Sequence, residues 1–507
     1  MHILHARFRS VTTVAAIALV ASLLPATSVE AGLRAGAAKV DVTNLDAGPV
    51  NDPLYVRALV VSDGTTTAAI VSVDAVAIAE IGSIRNEYLS VVRAQLQKEL
   101  KLEPKNLLVN ASHCHGIVCS DIEARTVRAV KEAARNLVPV RIGVGRGHED
   151  RISENRRMKL KNGREADVRH AYSLPADAEI AEVGPIDPEI GILRLDREDG
   201  STLAVVYNFA CHPIQGVPSG GNTADITGFS SKVIEENLSD GTVALFLQGC
   251  GGDINPIGYK DVDHPRNAET LGNLLGLSAL RAVRKIEMRN DDRLTLRSET
   301  LALPRADFAP KIADREAEIE RLTKTLQGTS INLKSFLSLV VKYNVFPDFP
   351  SSESHGYFHE KKLGRADLSR LDATNRQQMQ QYIANIHTME ELTRVQTNLA
   401  LLKKHHAQTV AAGKRTLDVE LAALRIGDFV LLTFPGELTV RIGQNIKKAS
   451  PHKETFVAGY TNGYIYYAPT AEQLLNFGNA QEDSDTLVAP EWQEIFETKA
   501  AQMLKGL

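Results

Sequence analysis

Leu107-Leu108-Val109-Asn110-Ala111-Ser112-His113-Cys114-His115-Gly116 runs an apolar segment into a pair of histidines. Residues 107–110 read as a buried strand, since the segment is short, apolar and followed by polar and glycine residues. Side chains alternate along extended backbone, so His113 and His115 are expected on one side and Cys114 on the other. Two imidazoles on one face make a pair of metal ligands. The same spacing also occurs on surfaces that hold no metal, so the pair needs company.

Three further strands end in the same manner. Residues 203–209 precede Cys211-His212-Pro213, residues 243–247 precede the glycine-rich 249–256, and residues 429–433 precede Pro435-Gly436-Glu437. Helical periodicity follows several of them, at 231–238 and 438–448, and another helix spans 84–100. Residues 57–61 and 68–73, joined by Ser62-Asp63-Gly64, form the opening hairpin. Strands that alternate with helices predict an α/β fold with a mixed sheet, in which ligands gather beyond the carboxyl ends of strands.

Residues 306–408 differ. Ile312, Ile319, Leu322 and Leu326 make one amphipathic stripe, and Met379, Ile383, Ile386, Met389 and Leu392 another, predicting two long helices around a Pro- and aromatic-containing connector. Strands with motif-like corners resume afterwards, so this stretch reads as a helical insertion; a separate helical domain is the other reading.

The bulk numbers exclude several classes. The chain has 507 residues, 43% hydrophobic and 24% charged, with a formal net charge of -4, so it is globular and offers no electrostatic case for nucleic acid. Residues 1–31 have the form of a secretory signal: basic Arg7 and Arg9, an apolar stretch at 11–24, and Val29-Glu30-Ala31 as a cleavage site. That apolar stretch is shorter than the roughly 20 residues a bilayer span needs. Export to the periplasm or medium is expected, with the mature chain at 32–507. The four cysteines, Cys114, Cys119, Cys211 and Cys250, are too scattered for a disulfide scaffold or a Cys-x-x-Cys metal site.

The chemistry-bearing residues lie at the corners. His212 sits at a strand end where Pro213 fixes the backbone. Taken alone it is as good a hydrogen-bonded core residue as a ligand; its value is as a third imidazole. Glu437 stands where a helix begins, where a carboxylate also serves simply as a favourable first-turn charge. Gly249-Cys250-Gly251-Gly252-Asp253-Ile254-Asn255-Pro256 lacks the phosphate-loop and dinucleotide fingerprints. The backbone N–H groups of Gly249, Gly251 and Gly252 are candidates for stabilising an oxyanion, and a plain tight turn is the alternative. Asn462-Gly463-Tyr464-Ile465-Tyr466-Tyr467-Ala468-Pro469-Thr470 carries three tyrosines of the kind that pack or form binding surfaces.

In order, these segments resemble the catalytic domain of the neutral, non-lysosomal ceramidases, from about residue 36 to 507. The resemblance implies a catalytic zinc held by His113 of the His-x-His motif, His212 before proline, Glu437 of Pro-Gly-Glu, and Tyr467. Tyr467 is taken over Tyr464 because it precedes the Ala468-Pro469-Thr470 stretch that aligns with the family's motif. By the same resemblance His115 hydrogen-bonds the reacting carbonyl, Arg156 of Asn155-Arg156-Arg157 contacts substrate or oxyanion, and Asp253 and Asn255 belong to the catalytic corner.

Three departures stand out. Asn255 occupies the place of a family serine, the His-x-His motif continues Gly116-Ile117-Val118 instead of Ser-Gly-Pro, and the 40 residues after Tyr467 leave no room for an immunoglobulin-like domain. The implied function is an exported zinc-dependent amidase on a small-molecule or lipid N-acyl, ceramide-like substrate, with peripheral membrane contact compatible and no obligate protein partner evident. A metallo-esterase of the same fold, or a non-catalytic exported binding protein that retains the site, are the competing readings.

Overall fold

The computed structural model describes residues 32–168, 175–216, 221–259, 263, 267–347, 355–476 and 480–507. The expected signal segment, 1–31, lies outside the described residues. Gly32–Leu507 forms one compact unit.

Its centre is an eight-stranded mixed sheet. In spatial order the strands are Val243–Gln248, Thr202–Phe209, Glu189–Arg197, Val138–His148, Arg34–Asp41, Tyr55–Ser62, Thr67–Val73 and Leu107–Ala111. A four-stranded sheet of Leu294–Pro304, Thr416–Ile426, Phe429–Thr433 and Thr455–Ala458 stacks on it. Alternation along the strands explains the stacking. Leu59 and Val61 face a core shared with Leu424, Leu431 and Phe456 of the second sheet. Val56, Ala58 and Val60 face the other way, onto helices α1 (Tyr88–Leu100) and α2 (Ile122–Arg135).

The outer face of the other half of that sheet is covered by α3 (Asp225–Glu236) and α4 (Ala268–Val283). The outer face of the second sheet lies under Trp492, Phe496 and Met503 of the last helix, Trp492–Lys505. The result is four layers, helix on sheet on sheet on helix. Strands buried on both faces must be apolar at nearly every position, as Val243–Gln248 is.

Parallel pairing is confined to three places in these two sheets: Thr67–Val73 with Leu107–Ala111, Thr202–Phe209 with Val243–Gln248, and Phe429–Thr433 with Thr455–Ala458. The polar corners singled out above follow strands of these pairs. Parallel partners finish at the same end, so the corners are delivered to one region.

The described residues of 309–412 hold four helices: α5 (Ala309–Thr325), α6 (Leu333–Val345), α7 (His355–Lys362) and α8 (Asp367–Ala412). The connector between the two long helices is thus itself helical where described. Residues 333–345 contain no Pro or Gly, and Asn332 caps α6 by accepting from the Ser335 amide at 3.0 Å. Leu322 of α5 packs on Leu392 and Val395 of α8, whereas Met389, one turn earlier, is exposed. No described helix is long and apolar enough to cross a membrane.

Candidate metal centre

The strand Leu107–Ala111 does not continue straight into the histidines. His113 has φ +67°, in the left-handed region that non-glycine residues rarely enter. The expected simple alternation therefore fails at His113, because its amide donates to the Ala75 carbonyl at 3.0 Å and the chain turns. Tyr460, Asn462 and Tyr466 also have positive φ. Strained residues persist only where the surroundings over-determine them, and these segments are tied together. Ala111 donates its amide to the Tyr460 carbonyl at 3.1 Å, Asn462 donates its amide to the Val109 carbonyl at 2.9 Å, and Asn110 Nδ2 donates to the Gly459 carbonyl at 2.7 Å.

The result brings His113, His212 and Glu437 together. One nitrogen or oxygen from each lies within 4.8 Å of the others, and all three residues are buried. His113 Nε2 is 3.6 Å and His212 Nε2 3.1 Å from Glu437 Oε2. The other ring nitrogens face backbone: His113 Nδ1 is 2.6 Å from the Val76 carbonyl, and His212 Nδ1 is 3.0 Å from the Ile254 carbonyl. A carbonyl can only accept, so each Nδ1 carries the hydrogen, and in a neutral imidazole Nε2 then presents a lone pair. Lone pairs aimed at a carboxylate repel unless a cation stands between them. Ligand atoms about 2.0–2.1 Å from a tetrahedral zinc lie roughly 3.3–3.4 Å apart, close to the two distances found. Carbonyls behind ligand imidazoles are the usual means of fixing their tautomer. The residues present thus fit a zinc ion.

Glu437 is fixed from behind as well. The hydroxyls of Tyr460 and Tyr464 donate to its two oxygens, the former at 3.1 Å to Oε2 and the latter to Oε1. Burial, with the Glu437 carboxylate beside them, pushes both phenols well above their ordinary range, so they remain donors. Tyr467 lies in strand register opposite Glu437 in a short parallel pair, so its buried side chain leaves the same face. Sequence reasoning missed Tyr460 and read Tyr464 only as part of a cluster that packs or forms a binding surface, with Tyr467 taken over it. The signal was weak: tyrosines at a turn do not announce which carboxylate they will meet.

His115 is exposed, with its ring centroid 5.4 Å from that of His113. It is the solvent-facing member of the pair. Arg156, expected to contact substrate or oxyanion, is fully buried. Its Nε donates to Glu482 Oε1 at 2.6 Å and its Nη1 to Asn255 Oδ1 at 3.1 Å, its Nη2 donates to the Gly252 carbonyl, and its guanidinium carbon lies 5.5 Å from the Tyr467 ring centroid. Its guanidinium thus lies against Tyr467 inside the core. Asn255 serves as acceptor for this arginine.

Asp253 accepts from the Val440 amide at 2.8 Å and from Asn155 Nδ2 at 3.0 Å, which anchors the start of α9 (Val440–Ala449) after Glu437. The glycine amides are also committed. Gly249 donates to the Phe209 carbonyl, Gly251 to that of Gly249, and Gly252 to that of Leu438, so the three N–H groups are not open to an oxyanion. The glycines are needed for close approach: a Cβ at Gly252 would stand 2.7 Å from the Glu437 carbonyl oxygen.

All four cysteines are free thiols. Burial pushes the thiols of Cys114 and Cys211, beside the two histidines, well up in pKa, so they stay protonated core residues. Cys119 packs against the α1/α2 core, and Cys250 lies in the core beneath the second sheet.

No protein-family model and no curated protein matches the chain. Solved structures do. The crystal structure of neutral ceramidase from Pseudomonas aeruginosa is similar over 93% of this chain and 74% of its own, at 18% identity and a TM-score of 0.57. A ceramidase structure described as complexed with C2 is similar over 93% of this chain and 75% of its own, at 18% identity and a TM-score of 0.58. The four-layered chain described above has the fold of the neutral ceramidases.

Proposed function

We propose that the protein is an exported zinc-dependent hydrolase that cleaves an N-acyl, ceramide-like amide. The observation that carries the reading is the convergence of His113 Nε2, His212 Nε2 and a Glu437 oxygen at the strand ends of a ceramidase-type fold. His113, His212, Glu437 and Tyr467 would hold the ion: two imidazoles, a carboxylate and a phenolic oxygen. A zinc ion bound there supplies Lewis-acid activation of water near neutral pH.

The chain's own residues do the rest. The Val76 and Ile254 carbonyls keep the imidazoles in the ligand tautomer, and Tyr460 and Tyr464 hold Glu437 in its rotamer. His115, on the exposed side, would donate a hydrogen bond to the reacting carbonyl. Across the reaction, oxygen from water ends on the acyl carbon as carboxylate, the C–N bond breaks, and the nitrogen leaves as amine with a proton. Export rests on the character of residues 1–31.

Metal analysis combined with a panel of N-acyl amides, N-acylsphingosine included, tests this, with acyl esters run in parallel. About one zinc per chain and amide turnover are expected, and His113→Ala should lose both. Unchanged turnover by a metal-loaded His113→Ala protein would sink the proposal. Zinc without any turnover would favour a binding protein, and ester-only turnover a metallo-esterase.

A further inference from the structure

Helix α6 carries its apolar residues on two sides, and one side has no partner among the described residues. Inward, Phe336 stacks on Tyr382 of α8 with ring centroids 4.5 Å apart, and the Tyr343 hydroxyl donates to Asp372 Oδ1 at 2.8 Å. Outward, Leu333, Leu337, Val341 and Val345 are 58%, 53%, 62% and 60% exposed. Their i, i+4 spacing aligns them into one ridge about 18 Å long. Phe346 at the end of α6, Phe358 of α7 and Leu363 are exposed too.

Single exposed aliphatics need no explanation, but an aligned row does. The charge around the row is basic. Lys334 and Lys342 are the charged residues of α6, and α7 with residues 363–366 adds Lys361, Lys362 and Arg365 against Glu360. Counting Asp348 and Glu353 of the intervening sequence, residues 333–365 carry a formal +2 in a chain of -4.

We infer that the α6 ridge, flanked by these cations, docks the protein on an anionic lipid bilayer. An exposed aliphatic row on a helix that also carries lysines is the pattern of an interfacial helix, with aliphatics entering the acyl boundary and lysines meeting lipid phosphates. The same positive charge disfavours a second copy as occupant, since two ridges face to face would bring like charges together. The purpose of such docking, delivery of the enzyme to a lipid amide, rests on the proposed function; the docking itself does not. The helices of residues 309–412 form an arm, and the ridge sits on its distal part, because α6 packs on residues 372–382 of α8 whereas Arg394 and His405 of that helix meet the body that carries the metal centre.

Flotation of the mature, zinc-loaded chain, residues 32–507, with vesicles tests the inference. Vesicles of phosphatidylcholine with phosphatidylglycerol should carry the protein, and phosphatidylcholine alone should carry less. The exposed double variant Leu337→Glu/Val341→Glu should float about tenfold less, Lys334→Glu/Lys361→Glu should lose the preference for anionic lipid, and both should keep wild-type turnover of a water-soluble short-chain N-acyl amide. Equal flotation of the Leu337→Glu/Val341→Glu protein and wild type, or no flotation of wild type, would overturn it. So would a wild-type dimer that this variant converts to monomer, which would assign the ridge to a second copy. Absence of turnover on every N-acyl substrate would sink the amidase reading and leave this one intact, since flotation is read on the protein itself.

Discussion

Arg156 and Glu482 meet at 2.6 Å with neither side chain reaching solvent, whereas Lys324 and Glu320 on α5 meet at 2.5 Å with 72% and 69% of their side chains exposed. Similar contact distances hide opposite physics. Buried ions lose several kcal/mol of hydration each, so such a pair persists only when its remaining donors are satisfied. Arg156 is satisfied by Asn255 and the Gly252 carbonyl, and Arg157 beside it by Glu482 and Asp483. The exposed pair faces no such demand and fixes little. Helix α8, about 70 Å long if straight, crosses from one regime to the other. Arg370 near its start pairs with Asp367 in solvent, while Arg394 meets Asp167 at 2.6 Å and His405 meets Asp485 at 2.7 Å, both in buried surroundings. Among the described residues, the arm is thus bound firmly where it meets the end that carries the candidate metal centre.

The largest expected effect follows from removing Glu482. Glu482→Ala leaves two buried guanidiniums short of a counter-charge and should cost about 3–5 kcal/mol, read as a lower midpoint in thermal or denaturant unfolding. Stability within error of wild type would mean that water reaches the pair, and the contrast with the arm would collapse.

Tyr464→Phe removes one of two hydroxyls from Glu437. A hydrogen bond to a charged group contributes about 1.5–3 kcal/mol, and outer-shell partners typically change metal affinity about 10–100-fold. Zinc competition with a chelator should show weaker binding while the fold is retained; unchanged affinity would reassign Tyr464 to packing. Gly252→Ala sharpens the same end sterically. Its Cβ would meet the Glu437 and Leu438 carbonyl oxygens at 2.7 and 2.9 Å, both backbone atoms that cannot swing aside. A loss of about 1–3 kcal/mol is expected in unfolding experiments, and a fully stable variant would show the glycine corner to be slack.

The two regions also differ in how far they could be read from sequence. The layered α/β architecture was legible because apolar runs ending in polar corners imply strands, and periodicity placed α1 and α9 to within a few residues. His113 and His212 stood out as histidines directly after such runs, but position alone left His212 and Glu437 with ordinary structural readings, and only the resemblance to the neutral ceramidases named the three as one set. Their supporting residues were not. No spacing rule connects Glu482 with Arg156, 326 positions apart, or Tyr460 with Glu437 through a left-handed turn. The glycine amides looked available because a sequence does not show that strand ends packed above them supply carbonyl acceptors. On the arm the failure was local: the connector was judged by its prolines and aromatics, and the uninterrupted 333–345 stretch forms a helix.

The smallest expected effect completes the contrast. Lys324→Ala deletes an i, i+4 partner that holds Glu320 at the surface, where solvent screens the charges and ordering two long side chains offsets the attraction. Alanine is also the better helix former, which works against any loss. Unfolding midpoints should therefore change by less than about 0.5 kcal/mol in stability, and added salt should alter mutant and wild type alike. A loss as large as that of Glu482→Ala would mean that α5 is buried against something in solution, and the exposed regime assigned to the arm would have to be given up.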